Sequence, residues 1–183
     1  MIDLIGALVG LLLLGPAVGL TMLWVLAISG VPVLHWSRRV GKNNIEFLMP
    51  KVRTMSNHAP QLATHLLPDP GKLLLPGALI IRSLSLDEIP QLWCVLQGTM
   101  SLVGPRPALF NQNDLVEART QKGIHRLVPG ITGWAQIRGR DELSLIDKVE
   151  MDFFYLQNRS LGFDLRILAE TLRKVVAREG VAH

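Results

Sequence analysis

The stretch "LIGALVGLLLLGPAVGLTMLWVLAISGVPVL", Leu4 to Leu34, decides how this chain folds. It holds 31 residues without one charge, and Asp3 is the only ionised side chain before Arg38. A straight helix of that length reaches roughly 46 Å, against about 30 Å of bilayer hydrocarbon. Pro16, preceded by Gly15, falls near its middle. Proline removes one backbone hydrogen bond and crowds the carbonyl four residues back, so a kink is expected there, leaving arms of about 12 to 18 residues. A cleaved signal peptide fits poorly, because there is no basic leader and the apolar run is too long. A kinked single span and a re-entrant helix–break–helix both fit, and the excess length favours the second. Arg38, Arg39, Lys42, Lys51 and Arg53 follow at once. That positive block expects everything after the helix to stay on the cytoplasmic side of the membrane.

The rest of the 183 residues is basic. All 19 Lys and Arg, but 14 of the 15 acidic residues, lie beyond residue 37. A basic domain behind an apolar segment points to phosphates on lipids or nucleotides. No recognised nucleic-acid-binding motif appears, and no nucleic-acid partner is expected. The single cysteine, Cys94, excludes an intrachain disulfide and a thiolate metal cluster. Histidines 35, 58, 65, 125 and 183 have no metal-ligand spacing and read as ordinary surface or core residues. A P-loop kinase is excluded by the absence of G-x-x-x-x-G-K-[ST].

"VLHWSRRVGKNNIEFLMPKVRTM" (Val33–Met55) reads as two extended pieces around a Gly-Lys-Asn-Asn turn. Its cations either meet anionic head groups or grip a diphosphate; Lys51, Arg53 and the later Arg82 are the candidates. "HLLPDPGKLLLPG" (His65–Gly77) reads as a loop on the membrane surface from its Pro and Gly content. Ile89, Leu92, Trp93 and Leu96 then mark one face of a short helix, with Gln91 and Gln97 off it. Ahead of it stand two carboxylates, Asp87 and Glu88. Ser85-x-x-Glu88 fits a capping box, although Pro90 sits better if Asp87 is the cap. In either register the acids stand at the positive end of a helix, which favours their charge. Such a pair can cap, can hold Mg²⁺, or can supply a nucleophile toward phosphorus. "VGPRP" (Val103–Pro107) follows as a stiff turn presenting Arg106, whose fork suits phosphate.

Near the C-terminus Thr132, Gly133, Gln136, Gly139 and Arg140 form a Gly-punctuated region that is either a set of turns or a nucleotide contact. "FDLRILAETLRKVVAR" (Phe163–Arg178) places Leu165, Leu168, Leu172 and Val175 or Val176 on one helical face, for the core or the lipid interface.

Taken together, "SLDEIPQLWCVLQGTMSLVGPRPAL" (85–109), "PGITGWAQIRGR" (129–140), "GKNNIEFLMPKVRTM" (41–55) and "EMDFFYLQNRSLGFDLRILAETL" (150–172) resemble the motifs of the bacterial sugar transferases, the monotopic phosphoglycosyl transferases. The likeness covers almost the whole chain in the family's motif order. It implies an α+β fold: a re-entrant membrane helix over residues 1–36, then over 37–183 a cytoplasmic catalytic domain of short strands and helices on the membrane surface. It implies transfer of a sugar-1-phosphate from a UDP-sugar to a polyprenol phosphate with UMP released, the first membrane step of a glycoconjugate pathway. It also implies Mg²⁺ as cofactor, Asp87 as the nucleophile that carries the phosphosugar, and Glu88 as its partner, both near the metal. Lys51, Arg53, Arg82, Arg106, Thr132, Gln136 and Arg140 become substrate or phosphate contacts, Pro16 the membrane kink, and Asp152 and Tyr155 structural or donor-site residues. Membrane lipids are partners, and a homodimer is left open. The chain departs from the family pattern at Gly15, at "DPGKLLLPG", at Arg138, and at Pro50 and Val52. The rival expectation is an inactive, membrane-anchored basic scaffold of the same fold.

Overall fold

The computed structural model describes residues 2–56, 58–60, 69–139 and 143–177. It is a mixed helix-and-sheet structure with one apolar N-terminal helix, α1 (Ile2–Ser29), long and apolar enough to cross a membrane. No non-helical segment separates two arms at Pro16: the backbone stays helical through it, so a re-entrant path would have to bend within one continuous helix. A proline deletes one rung of the hydrogen-bond ladder, and the rungs on either side carry the helix past it. Along one seam small residues let α1 lie close to the rest of the chain. A β-carbon on Gly6 would stand 2.5 Å from a methyl of Leu102, and one on Gly10 would stand 2.9 Å from a methyl of Leu92. Ala7, Val18, Thr21 and Val25 continue the buried seam. The opposite side is bare: Leu12, Leu13 and Leu20 are 79%, 71% and 69% exposed.

The expected hairpin forms. β1 (Leu34–Val40) and β2 (Glu46–Val52) pair antiparallel around the Lys42–Asn44 turn, where Asn43 and Asn44 adopt left-handed backbone. Pro50 is tolerated because β2 is an edge strand. After a one-turn helix α2 (Pro70–Leu73) and α3 (Ala78–Ser83) comes α4 (Leu92–Leu96). The predicted loop at 65–77 is thus partly helical from Pro70, and its residues 65–68 lie outside the described ones. β3 (Ser101–Val103) pairs parallel with β5 (Gly130–Thr132), while β4 (Ala108–Leu109) joins the free side of β1. The helices α5 (Asn113–Gln121), α6 (Trp134–Arg138), α7 (Leu145–Asn158) and α8 (Leu161–Ala177) complete the fold.

One packing alternative left open by the sequence is resolved, and one expectation is corrected. α8 docks through Ile167, which is fully buried, while Leu165, Leu172 and Val176 are exposed. Of the face that the sequence left to either core or lipid interface, Leu168 packs on the core, and Leu165, Leu172 and Val176 point outward. The short helix after the carboxylates also turns differently. Leu86–Gln91 is 3-10, and only Leu92–Leu96 is α-helical. The tighter 3-10 turn, which contains Pro90, rotates the face: Gln91 is 1% exposed and Trp93 52%.

Candidate active site

Asp87 and Glu88 sit in that 3-10 turn, which packs on β2 beneath α1. The capping box does not form. Ser85 takes left-handed backbone (φ 53°) and its side chain makes no cap bond; only its carbonyl accepts from the Glu88 N–H, at 3.1 Å. Glu88 is occupied elsewhere. Its Oε1 accepts from Lys51 Nζ and from Arg106 Nη2, each at 2.8 Å. Burial works against the Glu88 charge, but Arg106 and Lys51 together outweigh it and hold the carboxyl well below its usual range. Asp87, 6% exposed, goes the other way. Its burial and the charge of Glu88 outweigh Lys51 and Arg82, and its carboxyl lies above the ordinary value. The helix end therefore does not keep both acids equally ionised, as the sequence suggested; flanking cations decide, and they favour Glu88.

Arg82, at the end of α3, donates to Thr54 Oγ1 at 2.9 Å and lies within electrostatic reach of both carboxylates. Burial lowers its affinity for the proton, and the two acids oppose that. Lys51, Arg82 and Arg106 thus come together around the dyad from β2, α3 and the β3–β4 loop. Arg53 goes elsewhere: its guanidinium donates to the carbonyls of Ser29 and Gly30 at 2.9 and 2.8 Å, at the C-terminal end of α1. Thr132 Oγ1 is 2.7 Å from Thr171 Oγ1, and Gln136 donates to the Ile131 carbonyl at 2.7 Å. Tyr155 donates to Asp164 at 2.7 Å. Arg138 stacks over the Trp134 ring, 4.2 Å from its centroid. Arg140 lies outside the described residues.

The glycines of the two motifs have a packing reason. A β-carbon on Gly130 would lie 2.1 Å from the Gly104 nitrogen, and one on Gly133 would lie 2.1 Å from the Gly104 oxygen. "PGITGW" lies backbone to backbone against "VGPRP", and only glycine permits that approach. Three successive carbonyls of the loop are held: Pro105 by the Gly130 N–H at 3.0 Å, Arg106 by Arg119 Nη1 at 2.8 Å, and Pro107 by Arg39 Nη1 at 3.2 Å. Sequence reasoning passed over Arg39 and Arg119 in this role. Side chain to main chain contacts so far apart in the chain leave no spacing pattern to find.

Among the described residues no group of three or more His, Cys, Asp and Glu could hold a metal ion. The two carboxylates nevertheless suit Mg²⁺, which takes one or two protein oxygens and fills its remaining positions with substrate phosphates and water.

A family model described as bacterial sugar transferase matches residues 1–178. The chain belongs to the bacterial sugar transferase family. The uncharacterized sugar transferase EpsL of Bacillus subtilis (strain 168) is 45% identical over 83% of this chain and 74% of its own. The exopolysaccharide production protein ExoY of Rhizobium meliloti (strain 1021) is 34% identical over 97% and 85%. The UDP-glucose:undecaprenyl-phosphate glucose-1-phosphate transferase of Xanthomonas campestris pv. campestris is 37% identical over 94% of this chain but only 37% of its own length. This sugar transferase chain thus spans most of some relatives and well under half of others.

Proposed function

We propose that this chain transfers a sugar-1-phosphate from a UDP-sugar to a polyprenol phosphate at the cytoplasmic face of the bacterial inner membrane. The observation that carries the reading is the Asp87–Glu88 dyad walled by Lys51, Arg82 and Arg106, in a chain similar to a relative named as an undecaprenyl-phosphate glucose-1-phosphate transferase. Three cations face two carboxylates, so the ligand that balances them is anionic, as a diphosphate is. An Asp87 carboxylate oxygen attacks the phosphorus that bears the sugar. The bond to the bridging oxygen breaks, and UMP leaves with that oxygen. The polyprenol phosphate oxygen then attacks the same phosphorus, the acyl phosphate bond breaks, and Asp87 is regenerated with the lipid-linked diphosphosugar as product. Both phosphates are ionised at neutral pH, so no general base is needed. Glu88, held ionised by two cations, is a poor proton carrier; its work is to fix Lys51 and Arg106 in place. Mg²⁺, on Asp87 and Glu88, would neutralise diphosphate charge.

The proposed topology is supported by how α1 is tied down. At its start Asp3 accepts from Ser101 Oγ at 2.9 Å and from the Leu102 N–H at 3.0 Å. At its end Arg53 takes the carbonyls of Ser29 and Gly30. Both ends bind the same domain, and the greatest exposure falls near Pro16. These ties support a helix that dips into one leaflet with both ends cytoplasmic, and the outward leucines of α8 support a domain resting on the interface. Single cysteines near Ile2 and at Ser37, in a Cys94→Ser background, should both label only from the cytoplasmic side; periplasmic labelling near Ile2 would mean a straight span.

The transfer is tested by incubating the detergent-purified chain with a panel of UDP-sugars and Mg²⁺, without lipid acceptor. One UMP per enzyme and a protein heavier by one sugar phosphate are expected. Release of UMP only after acceptor is added would replace the covalent route with direct transfer. No release under either condition would favour an inactive scaffold.

A further inference from the structure

We propose that Arg119, oriented by Asp152, is a positioning residue of the active site: it fixes the main chain at Arg106 and thereby the Arg106 guanidinium on Glu88. This rests on the transferase reading above. The loop Val103–Pro107 contains two prolines and so has few N–H groups with which to hold itself. Its shape is imposed through its carbonyls, and the one beside the functional side chain, that of Arg106, is taken by Arg119 Nη1 at 2.8 Å. Arg119 is on α5 and only 8% exposed. Its Nε and Nη2 both donate to Asp152 Oδ2, at 3.0 and 2.6 Å, and Asp152 on α7 is 2% exposed. A guanidinium is planar, so two nitrogens held on one carboxylate oxygen also fix where the third points. The line of contact runs from Asp152 through Arg119 to the Arg106 carbonyl, and from the Arg106 side chain to Glu88 Oε1 at 2.8 Å.

Stability alone does not call for such a pair. Well-packed apolar residues commonly replace a buried ion pair at no loss. What an apolar pair lacks is an N–H for the Arg106 carbonyl. A misplacement of about 1 Å in a group that aligns reactants can cost on the order of a hundredfold in rate. Arg119 bonds Asp152 and the Arg106 carbonyl and makes no hydrogen bond to the dyad, so the proposed effect on turnover passes through Arg106.

The test uses the full chain with five variants: Arg119→Met/Asp152→Leu, Arg119→Lys, Arg106→Lys, and each of the first two combined with Arg106→Lys. Thermal stability, kcat and KM for UMP release, and hydrogen exchange across Val103–Leu109 are measured. The apolar pair should melt within a few degrees of wild type yet lose about tenfold or more in kcat, with KM nearly unchanged and faster exchange in the loop. In the Arg106→Lys background the same replacement should cost less than about threefold, because residues acting through one another are not additive. Where the apolar pair fails to fold, Arg119→Lys, which keeps the charge but loses the fork, is held to the same kcat and additivity criteria. Turnover within threefold of wild type, or losses that multiply fully across the Arg106→Lys background, would overturn the proposal, as would unchanged loop exchange. If wild type releases no UMP but the loop exchanges faster in the variants, the clamp stands and the transferase reading is what fails.

Discussion

Two buried acidic regions of this chain invite comparison. At Asp152 one carboxylate meets one guanidinium, at 2.6 Å, and both are shut away from solvent. At the dyad two carboxylates meet three cations, and the ion pairs of Lys51 and Arg106 both fall on Glu88, whose side chain is 20% exposed. Burial raises both Asp152 and Asp87 above the ordinary value. The difference is what stands opposite: Asp152 has its own arginine, whereas at the dyad Lys51 and Arg106 bond Glu88 and Arg82 bonds Thr54. A matched, closed pair fixes structure. An unmatched carboxylate beside surplus positive charge is arranged for something that arrives, and a nucleophile awaiting a diphosphate fits that description.

The sharpest way to break this contrast is Asp87→Asn. Turnover should fall by at least about a thousandfold, since an amide cannot replace the attacking carboxylate. Because the folded state raises the Asp87 pKa, the ionised form is disfavoured by folding at neutral pH, and removing that charge should leave the melting temperature equal to wild type or higher. Asp152→Asn, by contrast, strands a buried guanidinium and should lower the melting temperature. Substantial turnover by Asp87→Asn would sink the nucleophile assignment, and a clear fall in its stability would make it an ordinary structural acid.

Next in size is Arg106→Lys. The charge survives but the fork is lost, and one charge-assisted hydrogen bond is worth roughly 1.5–3 kcal/mol. At least a tenfold loss in kcat is expected with normal membrane insertion; near-normal turnover would remove Arg106 from the site.

Much of this was legible in the chain. The hairpin announced itself by two extended runs around Gly41–Asn44, the membrane helix by its missing charges, and the dyad by two acids beside a stiff arginine turn. What failed had physical causes. Pro90 lies inside a 3-10 turn whose pitch moved the buried face from Trp93 to Gln91. The exposed leucines of α8 carry the same apolar signal whether they meet core or lipid. Ser85 and Glu88 spell a capping box, but Lys51 and Arg106, 37 and 18 residues away, draw off the glutamate. Gly133 reads as a turn or nucleotide contact because its neighbour, Gly104, is distant in sequence.

A smaller effect concerns pH. Attack needs Asp87 ionised, so turnover should be lost as pH falls through its raised pKa, higher than for a free aspartate. Lys51 lowers Asp87, so Lys51→Met should move the acid limb of kcat to higher pH as well as weakening turnover. An acid limb unmoved in that variant would mean that another group sets it.

The smallest change tests which side of the comparison Thr132 belongs to. The sequence made it a candidate substrate contact. Its hydroxyl is 6% exposed with the residue as a whole and lies 2.7 Å from that of Thr171, which also donates to the Ile167 carbonyl at 2.8 Å. Since Thr171 spends its proton on Ile167, Thr132 is the donor between them. Thr132→Val keeps the shape and the β-branch that β5 favours but removes that donor. The loss should be about 1 kcal/mol of stability, the ordinary net worth of one hydrogen bond, because Thr171 keeps its other partner. If Thr132 is closed off as Asp152 is, KM for the UDP-sugar should stay within about twofold and only the melting temperature should fall. A tenfold rise in KM with unchanged stability would instead place the hydroxyl on the donor, and the surplus donors of the site would then extend from the dyad across β5.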